Sequence, residues 1–253
     1  MSVTDLLWHE CGGNGRQTVL LLHGLGATGA VWSGVQRVLA TRPVRWITPD
    51  LSGHGLSPWR SHYSVGQLAT DLAPLVRDAE ELYVLGHSLG AYLGLALASR
   101  WFGVRVVGVL GVGPKITWSE ADLQGTREFA ARPVRWYAQE AEASARYRRV
   151  SGLDEKIASA ELLARSVMHG EEGFRLTQDP RTFMVAGAPF ATLVASGDCA
   201  VKLARGERDS MVSLDELRAH EPGAVDIAGA GHNVHAEDPA AVVALLDQLL
   251  AHG

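Results

Sequence analysis

The chain has 253 residues, of which 47% are hydrophobic and 20% charged, the balance of an ordinary globular protein long enough to bury a sizeable core. A formal net charge of −5 gives no basic footprint, which argues against nucleic acid as a partner. The two cysteines, Cys11 and Cys199, lie far apart and fit no metal-ligand spacing, so no metal is expected.

The opening MSVTDLLWHECGG lacks a basic segment followed by an apolar core. Later apolar runs fall well short of the roughly 18 residues that span a bilayer. The expectation is a cytoplasmic protein without a membrane partner. A first strand is expected around 6–10, turning through Gly12-Gly13-Asn14-Gly15. Further strands are predicted at 18–22 (TVLLL), 44–48 (VRWIT), 81–85 (ELYVL), 104–110 (VRVVGVL), 200–205 (AVKLAR) and 224–228 (AVDIA). Several are apolar at consecutive positions, as in strands covered on both faces. Helical patterns alternate with them near 30–41, 65–78, 89–101, 213–220 and 238–251. The last opens on Asp238-Pro239, an N-cap acid before a first-turn proline. Strand–helix alternation of this kind predicts an α/β fold around a mostly parallel sheet.

Residues 114–189 break the alternation. The stretch shows helical patterns without convincing strands, and reads as a helical insertion over the sheet's C-terminal edge, not as a separate domain. Its nine arginines and two lysines balance eleven acids, which gives no basis for choosing a charged substrate.

Two glycine-rich stretches carry the chemistry. Gly24-Leu25-Gly26-Ala27-Thr28-Gly29 follows an apolar strand and fits the dinucleotide fingerprint G-x-G-x-x-G, with Asp50 placed as a ribose-binding acid. A dinucleotide-dependent oxidoreductase is therefore one reading. Gly86-His87-Ser88-Leu89-Gly90 lies between a strand and a helix of small residues. That is the context of a nucleophile elbow, a tight turn that lifts a serine hydroxyl clear of a sheet. The helix N-terminus there brings the Leu89 N–H toward a developing oxyanion. The oxidoreductase reading leaves this elbow unexplained.

Taken in order, His23-Gly24, the run Pro49-Asp50-Leu51-Ser52-Gly53-His54-Gly55-Leu56-Ser57, the Gly86–Gly90 elbow and Gly231-His232 resemble the landmarks of the α/β-hydrolases, especially small esterases and lipases with a helical cap. The resemblance covers essentially the whole chain. It implies an α/β-hydrolase core over 1–113 and 190–253, a helical cap at 114–189 and a Ser-His-Asp hydrolase without organic cofactor. It also implies that Leu25, in the loop after His23-Gly24, supplies a second oxyanion N–H, a duty that explains the glycines as well as a pyrophosphate would.

A serine hydroxyl needs a base, and the base an orienting acid. The family order is Ser, acid, His, which places the base at His232, after the last strand, with His235 as rival. Two acids compete, Asp198 and Asp209, each behind an apolar run. The two runs are too close together for both to be adjacent parallel strands. Residues 190–194 fit helical spacing and 201–203 alternate, which favours Asp209. The other position used by some relatives reads Gly111-Val112-Gly113-Pro114, without a carboxylate.

The reading is a serine hydrolase of a small to medium, uncharged carboxylic ester or lactone, with Trp118 and Trp136 as candidate substrate contacts. A carbon–carbon bond hydrolase of a diketone-like acid would use the same triad. A ligand-binding or signalling protein on the hydrolase scaffold is a further alternative.

Overall fold

A computed structural model describes residues 6–155 and 157–251. Seven strands make one sheet: β1 (His9–Gly13), β2 (Gln17–Leu22), β3 (Arg45–Pro49), β4 (Glu81–His87), β5 (Val106–Val112), β8 (Ala200–Gly206) and β9 (Val225–Ile227). Their order is β1-β3-β2-β4-β5-β8-β9. Only β1 runs antiparallel within that sheet. It lies further along the chain than the expected 6–10. Antiparallel pairing from His9 opposite Pro49 to Gly13 opposite Arg45 keeps the two glycines in the strand and moves the turn beyond them.

The strands are apolar at consecutive positions because each face has its own core. Leu20, Leu22, Leu82 and Val84 join one cluster, with Leu72 and Leu93. Val19, Leu21, Tyr83 and Leu85 join the other, with Trp32, Val242 and Leu246. Period-two alternation along a strand sends neighbours to opposite faces. On the first face lie α2 (Val65–Val76), whose N-cap Ser64 accepts from Gln67 N, and α3 (Leu89–Ala98), buried along its whole length. On the second lie α1 (Ser33–Leu39) and α10 (Pro239–Leu250), the latter capped by Asp238. A single 3-10 turn, Gly29–Trp32, leads into α1. Among the described residues, no helix is long and apolar enough to cross a membrane.

Between β5 and β8 the chain forms α4 (Glu120–Ala130), α5 (Glu140–Ser151) and α6 (Ala160–Ser166), then a hairpin, a 3-10 turn at Pro180–Val185 and α7 (Phe190–Ser196). The hairpin pairs β6 (Val167–Gly170) with β7 (Gly173–Leu176), which corrects the expectation of a strandless insertion. Its strands have four residues each, too few to show a period, and Glu171-Glu172 at the turn disguises them as a charged loop. A bridge from Tyr137 to Phe174 gives the pair a third partner. Beyond it, α7 and β8 resolve the two apolar runs as one helix and one strand. The remaining crossover, α8 (Leu214–Arg218), connects β8 to β9, and α9 (Val234–Glu237) precedes α10.

The insertion is fastened to the core by a buried charge. Asp50, at the end of β3 and fully buried, accepts from Gly29 N at 2.7 Å, from Leu56 N at 2.9 Å and from Arg165 of α6 at 2.7 Å. Arg165 also reaches Glu10 at 3.2 Å and lies over the Trp8 ring at 4.0 Å. Removing one partner of such a pair leaves the other as an uncompensated buried charge. Arg165→Met is therefore expected to lower the unfolding free energy by about 3 kcal/mol. Urea denaturation checks this, and an unchanged midpoint would show that Asp50 needs only its backbone donors.

Candidate active site

Ser88 sits between β4 and α3 at φ 50°, ψ −114°, a positive φ that an L-residue adopts only under constraint. Two contacts impose it. Ser88 N donates to Val112 O of β5 at 2.9 Å. Gly90 packs so tightly that any Cβ there would overlap the Leu22 carbonyl oxygen of β2. The serine is left half-buried at the head of a helix.

The loop after β2 passes directly over it. A Cβ on Gly24 would come 2.8 Å from His87 Nδ1 and 3.2 Å from the Ser88 Cβ, so the glycine allows main chain to approach the serine. Three of the loop's amides are occupied: Gly26 N donates to His54 Nε2 at 3.2 Å, Ala27 N to Gly24 O at 3.2 Å, and Gly29 N to Asp50. Gly24 and Leu25 line the same cavity as Ser88. The first glycine of the fingerprint thus faces a serine.

His232 follows β9, and its Nδ1 donates to Asp209 Oδ2 at 2.8 Å. The Asp209 side chain is fully buried, and its Oδ1 accepts from Met211 N at 2.8 Å. Arg205 on β8 anchors the acid's loop, donating to Asp209 O at 2.7 Å and Val212 O at 2.8 Å. Asp226 in turn holds Arg205 at 2.7 Å. Asn233 ties the base's loop to the end of α5 through Ser151 O and Gly152 O, at 3.1 and 2.9 Å. Arg205 and Asn233 are positioning residues that no sequence motif marks.

The rival candidates lie elsewhere. Asp198 is exposed and pairs with Arg100 at 2.8 Å. His235 is fully buried against Trp32 and His87, and neither of its ring nitrogens has a partner. Ser88 and His232 share a cavity of about 560 Å³, with Trp118 in its wall and Lys115 paired to Asp122 at 3.0 Å. Trp136 does not line it. That side chain stands in a neighbouring cavity, because Gly170 and Arg175 of the hairpin hold it there.

Four histidines are buried around the site. Burial above all pulls His23 down to about 4 and both His54 and His235 to about 3, and holds His87 well below the ordinary histidine value. Two of them work as neutral links. His23 donates from Nδ1 to Gly24 O at 2.8 Å and accepts at Nε2 from Leu51 N at 3.0 Å. His54 donates to Ser52 O at 3.2 Å while accepting from Gly26 N. A protonated ring could not accept.

A mostly parallel sheet with a strained serine between strand and helix, and a histidine beyond the last strand, is the scaffold of the α/β-hydrolases. Residues 19–245 match the alpha/beta hydrolase family, and the chain belongs to it. Over 99 residues it is 31% identical to lipase LipV of Mycobacterium tuberculosis, covering 38% of this chain and 37% of the lipase. Over 82 residues it is 40% identical to a pimeloyl-[acyl-carrier protein] methyl ester esterase of Aeromonas hydrophila, covering 32% and 31%. The matches thus span about a third of these curated relatives. The solved E-2-(acetamidomethylene)succinate hydrolase superposes with a TM-score of 0.80 over 97% of this chain and 95% of its own, at 19% identity, a likeness of fold.

The four neutral histidines fix the acid behaviour of the fold. Their folded pKa values lie below the ordinary 6.5, so between about pH 6.5 and 4 the unfolded chain binds protons that the native chain refuses. Stability present above 6.5 is therefore lost on acidification, by about 1.4 kcal/mol per pH unit for each histidine. His235→Phe removes one such ring and should make the decline shallower by that amount in denaturation series from pH 7 to 5. Equal slopes would show that His235 does not bind this proton on unfolding.

Proposed function

We propose that the protein is a serine hydrolase of a small to medium carboxylic ester or lactone whose reacting group is uncharged. The observation that carries this reading is the 2.8 Å bond from His232 Nδ1 to the buried Asp209, beside a serine on a strained elbow in the same cavity. Ser88 Oγ attacks the carbonyl carbon while His232 Nε2 takes the hydroxyl proton. Asp209 keeps the imidazole in the Nδ1–H tautomer and stabilises the imidazolium. The Leu25 and Leu89 N–H groups hold the oxyanion. His232 then protonates the leaving alcohol, and water, activated by the same ring, releases the acid from the acyl-enzyme.

The insertion between β5 and β8 acts as a cap, since Trp118, Phe129 and Val150 lie in the wall of the Ser88 cavity. A cavity of about 560 Å³ suits a short acyl chain better than a long lipid tail. The family membership and the named esterase and lipase relatives support ester chemistry.

A fluorophosphonate probe should label Ser88 and nothing else, as mapped by peptide mass. Adducts elsewhere, or none on folded protein, would sink the mechanism. Asp209→Asn should lower kcat by roughly a thousand-fold or more, while Asp198→Asn leaves it unchanged. On p-nitrophenyl esters of graded length the rate should fall toward long chains. A steady rise would mark a lipase, and turnover of a diketone acid alone would mark carbon–carbon cleavage.

A further inference from the structure

The nine arginines between residues 114 and 189 sort into two groups by what they touch. Arg127, Arg148, Arg165 and Arg181 each pair with a carboxylate, at 3.0, 3.5, 2.7 and 2.7 Å. Arg132, Arg135, Arg146, Arg149 and Arg175 make no ion pair among the described residues. Four of these lie over aromatic rings instead. Arg132 and Arg146 sit over Phe129 at 5.4 and 5.3 Å, and Arg135 over Tyr137 at 4.8 Å. Arg175 lies over Trp59 at 4.5 Å and Trp136 at 5.5 Å, and its partial burial lowers its own pKa.

Three of these arginines share one hollow. A cavity of about 500 Å³ is walled by Phe129, Trp136 and Tyr137 and carries Arg132, Arg135 and Arg146. Among the described residues, no acidic side chain lines it. The balanced charge of the insertion thus conceals a local separation, with unpaired guanidinium groups gathered on one side. Like charges around one hollow repel each other and favour an entering anion, and guanidinium forks suit carboxylate and phosphate oxygens. Aromatic faces fix the forks in place at little entropic cost.

The hollow adjoins the Ser88 cavity. Phe129 belongs to both walls, and its ring stacks at 4.2 Å on Phe183, which lines the Ser88 side. Arg146 and Val150, one turn apart on α5, line the one and the other. We propose that the arginine hollow binds the remote, anionic end of the substrate, a carboxylate or phosphate, while the uncharged ester reacts at Ser88. This rests on the esterase reading and replaces the uncharged substrate expected from the sequence with one that carries a remote anionic group.

The test compares p-nitrophenyl half-esters of dicarboxylic acids of increasing length, each with its methyl-capped twin. At the length that spans both cavities, the free acid should exceed its twin in kcat/KM by about ten-fold, mainly through KM. The double variant R132Q/R146Q should abolish that preference, whereas R127Q, whose guanidinium is paired to Glu120, should retain it. Calorimetry of S88A with glutarate, inorganic phosphate and pyrophosphate separates the two anion sources. Heat from glutarate alone assigns a carboxylate, and heat from the phosphates alone assigns a phosphoryl group. No preference at any length, together with no heat from any of these anions, overturns the proposal. Heat that R132Q/R146Q abolishes, in a protein inert toward every ester, would sink the esterase reading and leave the anion site standing.

Discussion

How closely α3 approaches β2 governs the mouth of the sheet. With no side chain on Gly90, the helix start lies against the Leu22 carbonyl, and the chain at Ser88 must take a positive φ to join β4 to that helix. The strain is held by the surrounding structure: β4 and β5 flank the turn, and α3 is buried from end to end. A strained conformation persists only where its neighbours leave it no relaxed alternative. That constraint aims a serine at the glycine loop after β2 and puts both beside the histidine loop after β9.

Around this point the protein uses buried polar groups in two distinct ways. Asp50 is matched by an arginine and two backbone donors, so one carboxylate ties the glycine loop, the 50–57 loop and the insertion together. His23 and His54 stay neutral and link main chain to main chain, which requires one donating and one accepting nitrogen on each ring. The position of the glycine loop over Ser88 therefore depends on buried residues that do not line the Ser88 cavity. A change at His54 would release Gly26 and let the loop carrying Leu25 drift from the serine.

The insertion shows why charge must be read in space. Summed along the sequence its charges cancel, and that sum suggests a neutral roof. In the folded chain most acids find partners at helix starts or on the outer surface, as with Glu120 and Glu155, while Arg132 and Arg146 lie over the Phe129 ring at one hollow. Net charge describes long-range behaviour, whereas recognition depends on which charges remain unpaired within a few ångströms.

The sequence by itself determined the layered α/β scaffold, since consecutive apolar residues in short strands demand cover on both faces, as Val19 to Leu22 receive. It also marked the elbow, because glycine, serine and glycine at fixed offsets between a strand and a helix are a local pattern, although neighbouring strands hold the strained φ. The lack of room for a second crossover favoured Asp209 over Asp198, and it is Asp209 that the fold sets against His232, while Asp198 pairs with Arg100. Tertiary structure alone decided the rest. The hairpin at 167–176 was hidden because four-residue strands carry no period, and β1 slipped along the chain because its register is set by β3. Trp136, a candidate substrate contact by residue type, stands in the hollow beside the Ser88 cavity, where the hairpin holds it. Local patterns are written in local spacing; which distant side chains share a cavity is settled only when packing brings them together.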